Sequence, residues 1–190
     1  MRSPAFVFCL FFLSVGVIQS MPDENEWIIS SDGARLVTDG VMGGVSRGDL
    51  LSAEHAGRAC LRLVGDVSTD NNGGFVQLSV TLDAASADVV TDYDGIRLDV
   101  SGNGETYNVH LRTADLRLPW QSYRASFVAG PQWRRIELPF TAFAPHRVDV
   151  PLRVGAIERI GVVVIGRDFE ADICVARMAF YRDDPVKASD

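Results

Sequence analysis

The sequence predicts an all-β domain, an antiparallel β-sandwich of jelly-roll type. Three observations carry that prediction. Seven segments follow one another along the chain, RACLRLV, GGFVQLSVTL, GIRLDVSG, TYNVHLRT, SYRASFV, RIGVVVIG and EADICVARMAF, and most alternate apolar with polar residues, the period of strands with one face on a core. Clusters of Asn, Gly and Pro (DNNGG, SGNGE, AGPQ and IGRD) separate them and supply tight turns. No segment holds a helical period over a dozen residues, and only the stretches Asp83 to Val90 and Phe140 to Pro145 read as short helical turns. Sheets with one apolar face each bury it by covering one another, hence a sandwich.

Taken in order, residues 1–20 carry Arg2 as their only charge and an apolar run from Ala5 to Leu13. That run is too short for a membrane span and reads as a signal peptide, with an uncleaved anchor as the alternative. Residues 21–26 are a short N-terminal segment, 27–182 a single jelly-roll domain, and the polar tail DDPVKASD, 183–190, a disordered end. Without Arg2 the chain holds 17 basic against 25 acidic residues, a net charge of −8. That surplus repels phosphate backbones and anionic lipid, so nucleic acid is excluded as a partner, and no membrane span follows the leader. Cleavage also removes Cys9 and leaves Cys60 and Cys174, each beside a core position. They form either a disulfide or two half-buried thiols.

Within the domain, GIRLDV turns Ile96, Leu98 and Val100 inward and Arg97 and Asp99 outward. TYNVHLRT buries Tyr107, Val109 and Leu111 and turns Asn108, His110 and Arg112 outward, while SYRASF buries Tyr123, Ala125 and Phe127 and shows Ser122, Arg124 and Ser126. RIGVVVIG is apolar almost throughout, as a central strand covered on both faces would be.

The run Gly44 to Gly48, GVSRG, matches the nucleophile elbow G-x-S-x-G and raises Ser46 as the nucleophile of a serine hydrolase. The elbow needs a helix after the serine, and DLLSAEHAGRA has neither cap nor apolar stripe, so the expectation is a non-enzyme in which Ser46 is a turn residue. Nor is DGVMGGVSRG a phosphate loop, since Met42 breaks the G-x-G-x-x-G register. Gly43 and Gly44 then mark positive φ or close backbone approach. The second cluster, GDVSTDNNGGF, has the same character, with Asn71 and Asn72 tolerating left-handed geometry before Gly73 and Gly74. No cofactor motif is present. The loop carboxylates Asp39, Asp66, Asp70 and Asp94 match no calcium-loop spacing, so no metal is expected.

Taken together, DGVMGGVSRG, GDVSTDNNGGF, YDGIRLDVSGNGETYNVHLRT, YRASF, QWRRIELPFTAF and a closing apolar strand pair resemble the complex I intermediate-associated protein 30 family, from about Trp27 to Tyr181. The resemblance implies a galactose-binding-like jelly roll similar to some carbohydrate-binding modules. For the mitochondrial members it implies a non-catalytic assembly or chaperone role, holding an incomplete intermediate of NADH:ubiquinone oxidoreductase. It marks Asp39, Gly43, Gly44, Ser46, Asn71, Asn72, Gly73, Gly74 and Phe75 as structural motif positions. Where the family often carries an arginine after the second motif, this chain has Gln77 and Ser79. A signal peptide instead of a mitochondrial presequence implies export, to a bacterial periplasm.

Candidate ligand contacts are the outward group Arg97, Asp99, Asn108, His110, Arg112 and Arg124, read as one cross-strand sheet face, with Trp120 and Gln121 in the loop before Arg124. Arginines and an indole together suit carboxylates and polar ligands. The bland alternative is a solvated face of paired charges. The expected function is an exported, non-catalytic binding domain for a protein partner, such as a respiratory-complex or envelope assembly intermediate. A glycan-binding module is the alternative. It would want several coplanar aromatics, and only Trp120, with Tyr107 or Tyr123, is available.

Overall fold

A computed structural model describes residues 25–183. The leader and most of the N-terminal segment and tail lie outside the described residues. The strands are β1 (Glu26–Ile28), β2 (Arg35–Thr38), β3 (Arg47–His55), β4 (Arg58–Val67), β5 (Phe75–Thr81), β6 (Gly95–Gly102), β7 (Thr106–Thr113), β8 (Ser122–Val128), β9 (Arg134–Pro139), β10 (Ala144–His146), β11 (Ile157–Ile165) and β12 (Phe169–Tyr181). A short helix α1 (Ala84–Val89) follows β5, capped by the Asp83 carboxylate on the amide of Ser86. Phe140–Ala142 forms a 3-10 turn, so both stretches read as helical turns are such.

All pairings are antiparallel. The first sheet runs β3-β4-β12-β6-β9, with β1 also on β12; the second runs β10-β8-β7-β11-β5-β2. The expected sandwich is therefore the observed one, and its register follows the alternation. Ile96, Leu98 and Val100 from the first sheet meet Val109, Leu111, Tyr123, Ile160 and Val162 from the second, all fully buried, each such side chain worth about 1.5–3 kcal/mol of transfer free energy. The buried tyrosines keep their polar ends satisfied: Tyr107 donates to Asn103 Oδ1 at 2.6 Å, and Tyr123 donates to the carbonyl of Val150 at 3.0 Å. Burial pushes the Tyr107 hydroxyl up to about 12.

β11 is central, between β7 and β5, with Val163 buried on its outer face as well. A disulfide between Cys60 and Cys174, with Cα atoms 5.5 Å apart, ties β4 to β12. One boundary differs from expectation. Glu26, placed before the domain by sequence, pairs with Tyr181 in β1, because a three-residue strand is too short to show an alternation.

Candidate functional site

The two glycine motifs meet at one carboxylate. Asp39 is fully buried, and its Oδ2 accepts from the amides of Gly74 (2.6 Å) and Phe75 (3.3 Å) and from the Ser46 hydroxyl, while its Oδ1 accepts from the Ser46 amide at 3.0 Å. A Cβ on Gly44 would collide with this carboxyl group, and one on Gly73 would lie 2.5 Å from Oδ2. Gly43 (φ 89°) and Gly74 (φ 120°) supply the left-handed turns that bring the segments together. Burial pushes the Asp39 carboxyl up, but the amides and hydroxyl around it together hold it below the ordinary carboxylate value.

Ser46 is thereby accounted for. Its hydroxyl donates to Asp39 and accepts from the Ser68 amide at 3.0 Å, it is buried, and a strand rather than a helix follows it. The lock has a further consequence, because the 3-10 turn Asp39–Met42 that it anchors projects Val41 and Met42, 75% and 50% exposed, past the edge of the second sheet.

These two side chains form one rim of a cleft of about 450 Å³ on the outer face of the second sheet. Its floor is set by strand register. His110 of β7 and Ser79 of β5 flank Gly161 of β11 on either side, and the Gln77 amide lies across the glycine, where a Cβ would meet its Cδ at 2.7 Å. Arg159 stands beside Arg112, and Arg124 beside His110. The opposite rim is the loop Pro119–Gln121 with His146 and Arg147.

That rim is braced from within. Arg112 Nη1 donates to the carbonyls of Leu118, Pro119 and Gln121, each at 2.9 Å. Gln121 Oε1 accepts from the amides of Arg117 (3.1 Å) and Leu118 (3.0 Å), and its Nε2 donates to the Arg147 carbonyl at 3.1 Å. Trp120, 44% exposed, is presented by a loop that two buttresses hold. Arg147 itself sits at φ 55°, uncommon for a residue other than Gly, Asn or Asp.

Three polar atoms in this lining are buried and unpartnered: Ser79 Oγ, His110 Nε2 and Arg159 Nε. Ser79 is 1% and His110 8% exposed. Burial, with Arg124 and His146 adding to it, pushes the His110 imidazole down to about 3, so it is neutral. Burial and the neighbouring Arg147 also lower Arg124; burial and Arg159 lower Arg112, with Glu158 opposing. None of Arg112, Arg124, Arg147 and Arg159 forms an ion pair with a described carboxylate. Two other clefts, of about 480 Å³ each, include one paired charge apiece, Arg177 with Glu26 in one and Asp172 with Arg62 in the other, and Glu26 Oε2 and Arg177 Nε are likewise buried without a hydrogen-bond partner. Among the described residues no three His, Cys, Asp or Glu side chains converge to hold a metal.

Of the residues singled out by sequence, His110, Arg112, Trp120, Gln121 and Arg124 converge here. Asn108 shares the sheet face but lies outside the cleft, where its Oδ1 accepts from Ser126 at 2.8 Å. Arg97 and Asp99 require a correction, because they stand on β6 in the other sheet. SGNGE reads as a tight turn, and β6 pairs with β9 and β12 while β7 pairs with β8 and β11, so the link crosses between layers. Alternation identifies the outward face of a strand but not the sheet that owns it. Gln77, Ser79, His146, Arg147 and Arg159 went unselected. The outward register of Gln77 and Ser79 in FVQLSVT was the available signal.

The family model described as Complex I intermediate-associated protein 30 matches residues 23–174. Among solved structures, a family 11 carbohydrate-binding module from Clostridium thermocellum, in complex with a β-1,3-1,4-mixed-linked tetrasaccharide, is similar at 14% identity and TM-score 0.57, covering 83% of this chain and 96% of its own. A family 30 module of a cellulosomal cellulase from the same organism is similar at 10% identity and TM-score 0.52, covering 72% of this chain and 83% of its own. At these identities the likeness concerns the fold. No curated protein matches the chain.

Proposed function

The chain belongs to the complex I intermediate-associated protein 30 family, and from that premise we propose that it is a non-catalytic binding domain that holds a protein partner in the cleft on its second sheet. The observation that carries the proposal is the set of buried, unpartnered polar atoms on Ser79, His110 and Arg159. A buried donor or acceptor without a partner costs about 1–3 kcal/mol, and a ligand that supplies the partner recovers it. Ser46, the one nucleophile candidate, is committed to Asp39, which supports a role without chemistry. The family description, intermediate-associated, points to a protein ligand.

A second reading, glycan recognition, is favoured by the family 11 module solved with a tetrasaccharide on a similar fold. We place the protein in a bacterial periplasm on the strength of residues 1–20; fractionation of a bacterial host would test that assignment.

The binding reading is tested by filling the cleft. Gly161→Leu puts a side chain on the floor where the nearest neighbour of its Cβ is the movable end of Gln77, and it should weaken partner capture about tenfold or more, about 1.4 kcal/mol, with an unchanged circular dichroism spectrum as the check on folding. Calorimetry with the mixed-linked tetrasaccharide tests the second reading directly. Capture that survives the filled cleft would place the binding surface elsewhere.

A further inference from the structure

The cleft is basic on a protein whose formal net charge is −7. Arg112, Arg124, Arg147 and Arg159 all line it, together with His110 and His146, and Glu158 is the one carboxylate among the lining residues. The arginines stand near one another, Arg159 directly across from Arg112 and Arg124 within the field of Arg147. Like charges held together at a half-buried surface are unfavourable unless an anion joins them. Elsewhere the chain solves this problem internally: Arg97 and Arg135 are half-buried or exposed beside Glu26, Asp99 and Glu137 and pair with them. In the cleft Glu158 acts on Arg112 without pairing with it, and no described carboxylate forms an ion pair with Arg112, Arg124, Arg147 or Arg159.

These charges are edged with aliphatic surface. Val41 and Met42 stand on one rim and Trp120 on the other, all exposed, with Val37, Phe75 and Ile165 between the first rim and the floor. A sugar ring is held by flat aromatic platforms, and this cleft has one exposed indole. Aliphatic side chains match aliphatic side chains, which a polypeptide carries and a polysaccharide does not.

We propose that the cleft receives an extended acidic segment of the partner polypeptide, its carboxylates bridging Arg124 with Arg147 and reaching Arg159 while an apolar side chain beside them packs between Met42 and Trp120. This rests on the reading that the cleft is the binding site and adds the chemistry of the ligand. Arg124 Nε is already donated to Ser122 Oγ at 2.9 Å, which leaves its two terminal nitrogens for a forked pair of hydrogen bonds to a carboxylate. Arg112, by contrast, spends Nη1 on the rim loop and acts as a positioning residue for Trp120. Gln121 fixes the Arg147 carbonyl and thus aims that backbone.

The test is fluorescence anisotropy with a labelled peptide of about twelve residues alternating Glu and Leu, its Gln-for-Glu counterpart, and unlabelled oligogalacturonate and mixed-linked tetrasaccharide as competitors. The Glu peptide should bind, and its Kd should rise about tenfold between about 50 and 300 mM NaCl, as the screening length shortens and the attraction across the contact weakens. The Gln counterpart should bind at least about tenfold more weakly. Arg124→Gln with Arg147→Gln should weaken the Glu peptide by a similar factor while circular dichroism and Tm hold. Arg134→Gln, an exposed arginine of β9 in the other sheet, should leave binding unchanged. Equal binding of the Gln counterpart would overturn charge recognition. Binding of oligogalacturonate in preference to the peptide would overturn the polypeptide assignment, as would displacement by the tetrasaccharide alone. Absence of peptide binding overturns the inference outright, while loss of partner capture by Gly161→Leu would still uphold the cleft as the site.

Discussion

Both sheets of this sandwich carry arginines on their outer faces, and the best-buried of them are partnered differently. On the first sheet, Glu26, only 1% exposed at its side chain, is bonded by Arg97 and Arg177; Arg97 also reaches Glu137 at 2.8 Å, and Asp99 takes Arg58 and Arg135, each at 3.1 Å. On the second, Arg124, Arg147 and Arg159 face one another and two histidines across a cleft whose buried polar atoms include three without a partner. The same residue type is paired with carboxylates on one face and lacks an ion pair on the other. What separates them is pairing. An arginine whose carboxylate comes from its own chain has its free energy already spent, whereas one without it has interaction left for a ligand.

The largest effect should come from breaking the closed face. Glu26→Ala would remove the buried carboxylate that Arg177 bonds and leave Arg97 its bond to Glu137, at a cost of about 3 kcal/mol, seen as a lower urea midpoint with an unchanged slope. The variant that still folds should bind ligand as the parent does. Loss of binding without loss of stability would put the recognition surface on the first sheet.

Acid should separate the faces next. Burial, with repulsion from Arg124 and His146 adding to it, depresses His110 to about 3 from an unfolded value near 6.5. A depressed folded value means that the unfolded chain takes up a proton first, so His110 stabilises above pH 6.5 and loses that contribution as pH falls toward 3, about 2 kcal/mol of it by pH 5. His146, depressed by burial, Arg124 and Arg147, adds in the same direction. For Asp99, burial acts upward but Arg135 and Arg58 more than offset it and lower the carboxyl. Its contribution therefore survives to about pH 4 and fades only below that. Melting scans from pH 7 to 3 should show two stages, and His110→Gln should shrink the first alone.

Only part of this contrast was legible in the sequence. Alternation in TYNVHLRT and SYRASF turned His110, Arg112 and Arg124 to the outer face of the sheet; all three line the cleft there, but His110 is buried in it rather than exposed. It also assigned Arg97 and Asp99 outward, correctly for their strand, but a short link between β6 and β7 gives no sign that it crosses layers. The glycine motifs announced a special backbone. The reason lay in Asp39, whose bonds to Ser46 and to Gly74 span 7 and 35 residues, and no local pattern reports an acceptor that far from its donors. Arg147, Arg159 and Ser79 reach the cleft from three separate strands or loops, a convergence that exists only after folding.

A smaller effect is expected from the braces than from the ion-pair centre. Arg112→Ala releases three carbonyls that are near solvent, so the fold should lose only about 1 kcal/mol. The rim loop should loosen, and ligand affinity should fall through misplacement of Trp120. Amide exchange at residues 117–121 reads this directly: faster exchange with weaker binding identifies a positioning role, and Arg112→Lys, which restores one donor, should recover part of both. Unchanged exchange with lost binding would make Arg112 a ligand contact instead.

The smallest effect carries a sign. On the first sheet, Arg135→Gln removes an attraction to Asp99 and should lower stability by about 0.5 kcal/mol, the scale of a half-exposed pair. On the second, Arg147→Gln removes repulsion from Arg124 and His146 and should leave stability unchanged or raise it by a few tenths, about 0.2–0.5 kcal/mol. Glutamine keeps the hydrogen-bonding reach and leaves the Arg147 carbonyl free to accept from Gln121, so the change isolates charge. Differential scanning calorimetry at low and high salt decides the point, because repulsion relieved by mutation is also relieved by screening and the two should not add. A loss of stability from Arg147→Gln equal to that from Arg135→Gln would mean that the cleft arginines are structural like those opposite, and the distinction between the two faces would fall.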